Sequence, residues 1–314
     1  MNILSLLLPP RARLAADSRI AGAPLARWFA RGDALPAAAA GREIVIREFF
    51  QFAGTRIPVA ALTRQADCSD AAGFTWLRAD PAHVRADMAT ARMLACGELG
   101  LSAEDCAELL RPLKPLFGDS GFPIDAPRPS RWYLRAPAGA KLPAFVPPEQ
   151  ALGDDLRLHL PEGDESRRWR SLLNEAQIVL HNHPLNQQRA ARGQLPVNSL
   201  WFWGAGSLPD WVKSPLSRVL SRDETVAALA TRAKVAVFAP KPGELAGFDG
   251  HTLIDLDDAQ SLGELATHWL PLAEAALGNQ RIAELHLHLA SGERAVVRPG
   301  HRWRFWRRVR PLRA

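Results

Sequence analysis

The sequence has little of what staples or anchors a chain. Cysteine occurs only at Cys68, Cys96 and Cys106, an odd number with no C-x-x-C spacing, so neither a disulfide framework nor a zinc ribbon is indicated. This usage suits a reducing compartment, and a cytoplasmic location is expected. Nowhere do 18 apolar residues follow one another, so no spanning helix and no membrane partner is expected. The apolar start of the chain lacks a basic leader, is short for a signal segment and runs into Pro9-Pro10, so it reads as a first buried strand.

Positive charge is present in moderate excess. A formal charge of +6 over 314 residues suits anion-tolerant surfaces and argues only weakly for nucleic acid, except where the basic residues gather. They gather at the end, where His301, Arg302, Trp303, Arg304, Phe305, Trp306, Arg307, Arg308 and Arg310 interleave rings with cations. Alternation predicts Trp and Phe closing a core while Arg faces water. The competing reading is nucleic-acid binding through Arg302, Arg304, Arg307 and Arg308.

Hydrophobic patterning predicts an α/β fold, a mostly parallel sheet with helices on both faces. Residues 2–8 read as a central strand. Helical patterns follow at 24–30, 42–52 and 58–65, and a strand at 74–77 ends in Arg78-Ala79-Asp80-Pro81. A capping-box pattern at Ser102 opens a helix that Pro112 and Pro115 should stop near residue 110. Extended runs at 122–125 and 131–135 and a proline-rich passage at 137–148 suggest a small α+β lobe, residues 93–137, inserted into a core of residues 1–92 and 138–314. Asp164 should cap a helix over 165–181. Strands at 199–203, 235–238, 252–256 and 284–289, with helices at 224–231 and 262–277, complete the pattern.

Polar residues crowd the apolar frame between His181 and Gly206. A helix end delivers His181 and His183, a turn carries Asn186 and Arg189, and an aromatic strand with Asn198 at its start empties into Gly204-Ala205-Gly206. Such groups suit an anion, since N–H groups freed at glycine can point at an oxygen. Arg78 and Asp80, read as lying just past a strand end, can join them. The structural alternatives are a capping role for His183 and a salt-bridged loop of Arg78, Asp80, His83, Arg85 and Asp87. Arg131-Trp132-Tyr133 is either a cation beside flat rings or ordinary core. Asp249-Gly250-His251 with Asp255, Asp257 and Asp258 has a metal-like composition, and His286 and His288 share one side of a strand. The structural alternatives, which are favoured, are a plain turn before the next strand and exposed or half-buried edge positions.

The run His183-Pro184-Leu185-Asn186, then Arg189, Gly193, Asn198 and Gly204-x-Gly206, resembles the H-P-x-N-x-x-R-x-x-x-G-x-x-x-x-N segment of archaeal-type cofactor-independent phosphoglycerate mutases of the alkaline phosphatase superfamily. Arg85 to Thr90 resembles that family's R-x-N-x-A-T stretch, with Asp87 in place of Asn. Trp76-Leu77-Arg78-Ala79-Asp80-Pro81, Arg131-Trp132-Tyr133-Leu134, Leu172-Leu173-Asn174-Glu175 and Asn198 to Gly204 resemble the RpfE-type regulatory proteins of proteobacteria over most of the chain. The resemblance implies an alkaline-phosphatase-like core. In the mutases it also implies two divalent metals, such as manganese or zinc, held by Asp and His around a Ser nucleophile. Here Pro9-Pro10 stand where the first metal-binding Asp is expected, and Trp203 where an Arg is expected.

The combined expectation is a non-catalytic regulatory protein, a pseudoenzyme without cofactor or assigned catalytic residue. Its degenerate pocket, made by Arg78, Asp80, His183, Asn186, Arg189, Asn198 and Gly204, would take a phosphorylated or otherwise anionic small molecule or a protein partner. The enzyme alternative is an active mutase or phosphatase using displaced ligands Asp87, Asp249, His251, His286 and His288.

Overall fold

In order along the chain, the elements begin with β1 (Ile3–Leu8), α1 (Arg11–Ala15), α2 (Leu25–Arg31), β2 (Asp33–Leu35), α3 (Arg42–Phe49) and α4 (Val59–Cys68). There follow β3 (Thr75–Ala86), β4 (Ala91–Cys96), α5 (Ala103–Asp119), β5 (Ile124–Arg128), β6 (Arg131–Ala136) and α6 (Pro148–Ala151). Next come α7 (Ser166–His181), α8 (Pro184–Ala191), β7 (Ser199–Ser207), β8 (Arg218–Leu220), α9 (Glu224–Arg232) and β9 (Ala236–Phe238). The last are β10 (His251–Asp255), α10 (Leu270–Gly278), β11 (Glu284–Leu289) and β12 (Arg294–Val297). The computed structural model describes residues 1–17, 20, 22, 24–87, 90–163, 165–241, 247–258 and 263–313. The cap expected at Asp164, the Met88-Ala89 part of the charged stretch and the helix start expected at residue 262 lie outside the described residues.

Two compact units result, Met1–Gly54 with Asp210–Ala314, and Thr55–Pro209. The first holds a seven-stranded sheet in the order β2-β12-β11-β1-β10-β8-β9. β11, β1, β10, β8 and β9 are parallel, and β12 and β2 add an antiparallel edge. The two-residue period of a strand gives this sheet two unlike faces. Leu4, Leu6 and Leu8, beside Ile254, Leu256, Leu285, Leu287 and Leu289, pack with Leu14 of α1, Trp28 of α2 and Leu270 and Leu277 of α10 in one apolar cluster. The other face pairs Ile3, Ser5 and Leu7 with His251, Asp255, Glu284, His286 and His288, under α3. The fold class is α/β with a mostly parallel sheet, as expected, in this unit.

The second unit is built differently. Its five strands are all antiparallel, with β6 and β4 on successive halves of one edge of β3 and β7 on the other. The strands expected at 74–77 and 199–203 therefore belong to a sheet separate from that of β1. Residues 93–137, expected as a lobe of their own, share this sheet and its core. Leu77 and Ala79 of β3 pack with Leu109, Leu113 and Phe117 of α5 and Trp169, Leu173 and Leu180 of α7. α5 runs through Pro112 and Pro115 to Asp119, past the expected stop, because Leu113 and Phe117 go on burying the same face. Among the described residues, no helix is long and apolar enough to cross a membrane.

Candidate functional site

Open α/β sheets present their sites past the carboxyl ends of parallel strands. In the first unit that place lies where β8 ends before Ser221 and β10 ends at Asp255. Asp255 is buried, and Ser221 Oγ donates to its Oδ2 at 2.6 Å. Asp223 caps α9, its Oδ1 accepting from the N–H groups of Thr225 and Val226 at 2.7 and 3.0 Å. Into this group of carboxylates projects Arg42, the first residue of α3. Its Nη1 and Nη2 donate to Asp255 Oδ1 and Oδ2 at 2.9 and 2.7 Å, Nη2 also reaches Asp223 Oδ2 at 3.0 Å, and Nη1 reaches Asp257 Oδ2 at 3.3 Å. Burial works against the charge of Arg42, but the bond to Asp255 and the charges of all three carboxylates outweigh it and hold the guanidinium protonated. Asp257 is raised to about 6, by burial first and by Asp255 beside it, against the pull of Arg42.

Three carboxylates at a strand end are oxygen donors that a divalent ion could use. Here a guanidinium sits among them, takes both oxygens of Asp255 and offsets one of their charges. Among the described residues, no group of three or more His, Cys, Asp or Glu is placed to hold a metal ion, and the residues present do not fit a dinuclear centre. Sequence reading missed Arg42, Ser221 and Asp223. One local signal was available: a cation at the first position of a helix opposes the helix dipole and calls for external carboxylates.

Of the residues expected to converge on an ion, His251, His286 and His288 lie together, with neighbouring ring centroids 6.0 and 6.3 Å apart, and the aspartates do not join them as a group. Asp249 is exposed, in the turn before β10, whereas Asp255 ends that strand, so His251 and Asp255 are about 13 Å apart at 3.3 Å per residue. Gly250 makes the turn, with φ +67° and no room for a Cβ beside Ser217 Oγ. His251 Nε2 is 2.8 Å from Ser5 Oγ, His286 Nε2 is 2.7 Å from Glu284, and His288 Nδ1 is 3.1 Å from Glu48. Edge exposure does not explain these histidines, because β11 lies between β1 and β12 and His288 is buried, its ring 4.9 Å from that of Phe49. Burial first, then the charge of His286, lowers His251 to about 4 and His288 to about 3. Asp87 is exposed beyond β3, in the second unit.

The seven residues expected to line an anion pocket all fall in the second unit, where they hold the frame together. Arg78 and Asp80 lie within β3, on one face of the sheet. They are buried and paired with each other, Nε to Oδ1 at 2.9 Å and Nη2 to Oδ2 at 2.8 Å. Asp80 also accepts from Trp132 N at 3.2 Å and Trp203 Nε1 at 2.7 Å, and Arg78 lies over the rings of Trp203 and Tyr133. Burial pushes the Asp80 carboxyl up, against the pull of Arg78. The charged residues after residue 77 thus continue the strand rather than end it. Arg131 and Tyr133 both bind Asp67.

His183 caps α8, its Nδ1 accepting from Leu185 N at 3.2 Å. Asn186 is buried and clips the chain, donating to Leu180 O and Val197 O and accepting from Val197 N at 2.7 to 2.8 Å. Arg189, fully buried, donates to Leu195 O, Leu99 O and Gly100 O and pairs with Asp105 at 3.2 Å. Asn198 bonds both backbone groups of Val84 at 2.7 and 2.8 Å. At Gly204, with φ +68°, a Cβ would lie 2.9 Å from Val59 Cβ, so this glycine admits α4 rather than a ligand.

At the carboxyl terminus the rings depart from the expected sidedness, while Arg302, Arg307, Arg308 and Arg310 are exposed as expected. Arg304 reaches Asp33 at 2.5 Å and Arg31 O at 3.0 Å, and Arg307 reaches Gly32 O at 2.7 Å. Trp303, Phe305 and Trp306 are 63%, 76% and 67% exposed. Asp33 and the carbonyl of Arg31 draw Arg304 inward, and the rings stay outside.

A segment of the chain is distantly similar to cofactor-independent phosphoglycerate mutases. Over 64 residues it is 42% identical to a probable 2,3-bisphosphoglycerate-independent phosphoglycerate mutase of Geobacter sulfurreducens, and 40% identical to a 2,3-bisphosphoglycerate-independent phosphoglycerate mutase of Methanosarcina barkeri. In both cases the match covers 20% of this chain and 16% of the relative, so it spans only a small part of either protein. No family model matches the chain. A cofactor-independent phosphoglycerate mutase from Thermoplasma acidophilum overlays 96% of this chain and 90% of its own, at a TM-score of 0.41 and 14% identity. A protein of Pyrococcus horikoshii overlays 94% of this chain and 86% of its own, at 0.42 and 12%. Overlaps this loose carry no argument about the fold.

Proposed function

We propose that this protein is a non-catalytic, phosphoglycerate mutase-like regulatory protein of the RpfE type, acting in the cytoplasm. The supporting observation is Arg42 among Asp223, Asp255 and Asp257. Phosphoryl transfer through a metal pair requires carboxylates whose charge is left for the ions. Here Arg42 occupies both oxygens of Asp255 and reaches the other two carboxylates, and buried Pro9 follows β1 where the resemblance calls for an Asp. The displaced-ligand alternative would need Asp249, His251, His286 and His288 on one ion, against the exposed position of Asp249 and the bonds of the three histidines to Ser5, Glu284 and Glu48.

In this reading the protein responds to a phosphorylated or otherwise anionic small molecule or to a protein partner. Arg78, Asp80, Asn186, Arg189 and Asn198 already satisfy one another or the backbone, which favours another surface for the ligand. The test is turnover of 3-phosphoglycerate to 2-phosphoglycerate by purified protein, coupled to enolase, with and without Mn²⁺. The expected outcome is no turnover in either condition, and sustained turnover that requires Mn²⁺ overturns the reading.

A further inference from the structure

A cavity of about 230 Å³ opens in the first unit, where α2, α10 and the 3-10 turn Pro299–Trp303 meet. Arg27, Arg31, Arg298 and Arg302 line it. We propose that it binds a small oxyanion bearing a short apolar group, such as a phosphomonoester or a carboxylate of that form. This site shares only its class of ligand with the proposed function, and it stands whether or not the chain is catalytic.

The four arginines are not equivalent. Arg27 pairs with Glu274, and Arg298 pairs with Asp33 and Glu284 at 2.9 and 2.8 Å. Among the described residues, Arg31 and Arg302 have no carboxylate partner. Arg31 is held in place through Nη1, which donates to Arg302 O at 2.8 Å, while its Nε is buried with no acceptor. The guanidinium lines the cavity with no carboxylate partner among the described residues, which leaves its charge for an oxyanion. The planar guanidinium fork suits a phosphate or carboxylate that accepts two bonds.

The carbonyl ends of α2 and α10 oppose an anion here. Glu274 in the lining is held by Arg27, and the two guanidinium groups without a carboxylate partner outweigh the partial charge of the helix ends. Beside the arginines, Glu274 and His301 also line the cavity, and Trp28, Leu277, Val297 and Pro299 give the ligand's hydrocarbon part a wall. The volume is below the roughly 300–1,000 Å³ of sites for drug-sized molecules, which limits the ligand to a few heavy atoms beyond the anion.

The test uses phenyl phosphate as probe, with inorganic phosphate as the anion alone. Calorimetry on the full chain should give saturable binding of phenyl phosphate, tighter than that of inorganic phosphate. Arg31→Met combined with Arg302→Met should weaken it at least tenfold. Arg111→Met, an exposed site in the second unit, should leave it unchanged. A readout that needs no variant is the Arg31 Nε–H resonance of the unaltered protein, which should shift on titration. Absence of saturable binding, unchanged affinity in the double variant, or a stationary Arg31 resonance each overturns the proposal. None of these bears on 3-phosphoglycerate turnover, so the two readings fail separately.

Discussion

Arg42 meets Asp255 with both terminal guanidinium nitrogens, in the bidentate geometry that makes such pairs strong. The pair closes the strand-end position that in open α/β sheets is left for ligands. Its energetic role follows from the burial of Asp255.

Arg42→Met removes the cation and leaves a buried carboxylate without its counter-charge. Breaking one side of a buried pair costs on the order of 3–5 kcal/mol, and the partial exposure of Arg42 places this case toward the lower end. Urea denaturation should report that loss. A change below about 0.5 kcal/mol, the range of ordinary surface substitutions, would mean the pair is loosely coupled to the fold.

The same physics separates a frame role for Arg78 from a ligand-binding one. Arg78→Leu strands Asp80 inside the sheet and should destabilise by about 3 kcal/mol or more. Adding Asp80→Asn removes the stranded charge while keeping an oxygen for Trp203 Nε1, and should restore part of the loss. If Arg78→Leu leaves stability unchanged, the residue is not structural.

Stability should rise with pH in the weakly acidic range. His251 and His288 titrate near 4 and 3 when folded and near 6.5 otherwise. Between those values the unfolded chain binds more protons, so their contribution is complete above about pH 6.5 and is lost as the pH falls through 4 and 3. Asp257 acts oppositely: raised from 3.8 to about 6, it contributes at low pH and that contribution is lost as the pH rises through 6. Two imidazoles outweigh one carboxyl. His288→Gln should flatten the rise between pH 4 and 6.5, and Asp257→Asn should steepen it, read from denaturation midpoints at each pH.

Gly206 faces Pro58, whose Cβ would lie 2.5 Å from an added Cβ. Gly206→Ala must push α4 away from β7, and overpacking of this kind costs about 1–3 kcal/mol. A thermal midpoint equal to that of the unaltered protein would show that the contact relaxes freely.

Local signals carried much of the fold. β11 was legible at both ends from its alternating residues, and Ser102 makes the predicted cap, accepting from Asp105 N at 3.0 Å. β3 was read too short because Arg78, Asp80 and Pro81 look like a turn, and only a partner pairing within the sheet makes them strand residues. Arg304 alone of the terminal arginines turns partly inward, and its acceptors, Asp33 and the carbonyl of Arg31, are some 270 residues away in sequence. The strand-end cluster escaped for the same reason: Arg42 lies 213 positions from Asp255. The mutase-like run from His183 to Gly206 was read correctly as a dense set of polar groups, but its side chains bind the backbone around them.

The central claim is that a guanidinium holds the place of a divalent ion. Calorimetric titration of Mn²⁺ into the unaltered, metal-free protein tests it most directly. The account predicts no saturable heat at micromolar protein, and two ions bound per chain with submicromolar Kd would contradict it.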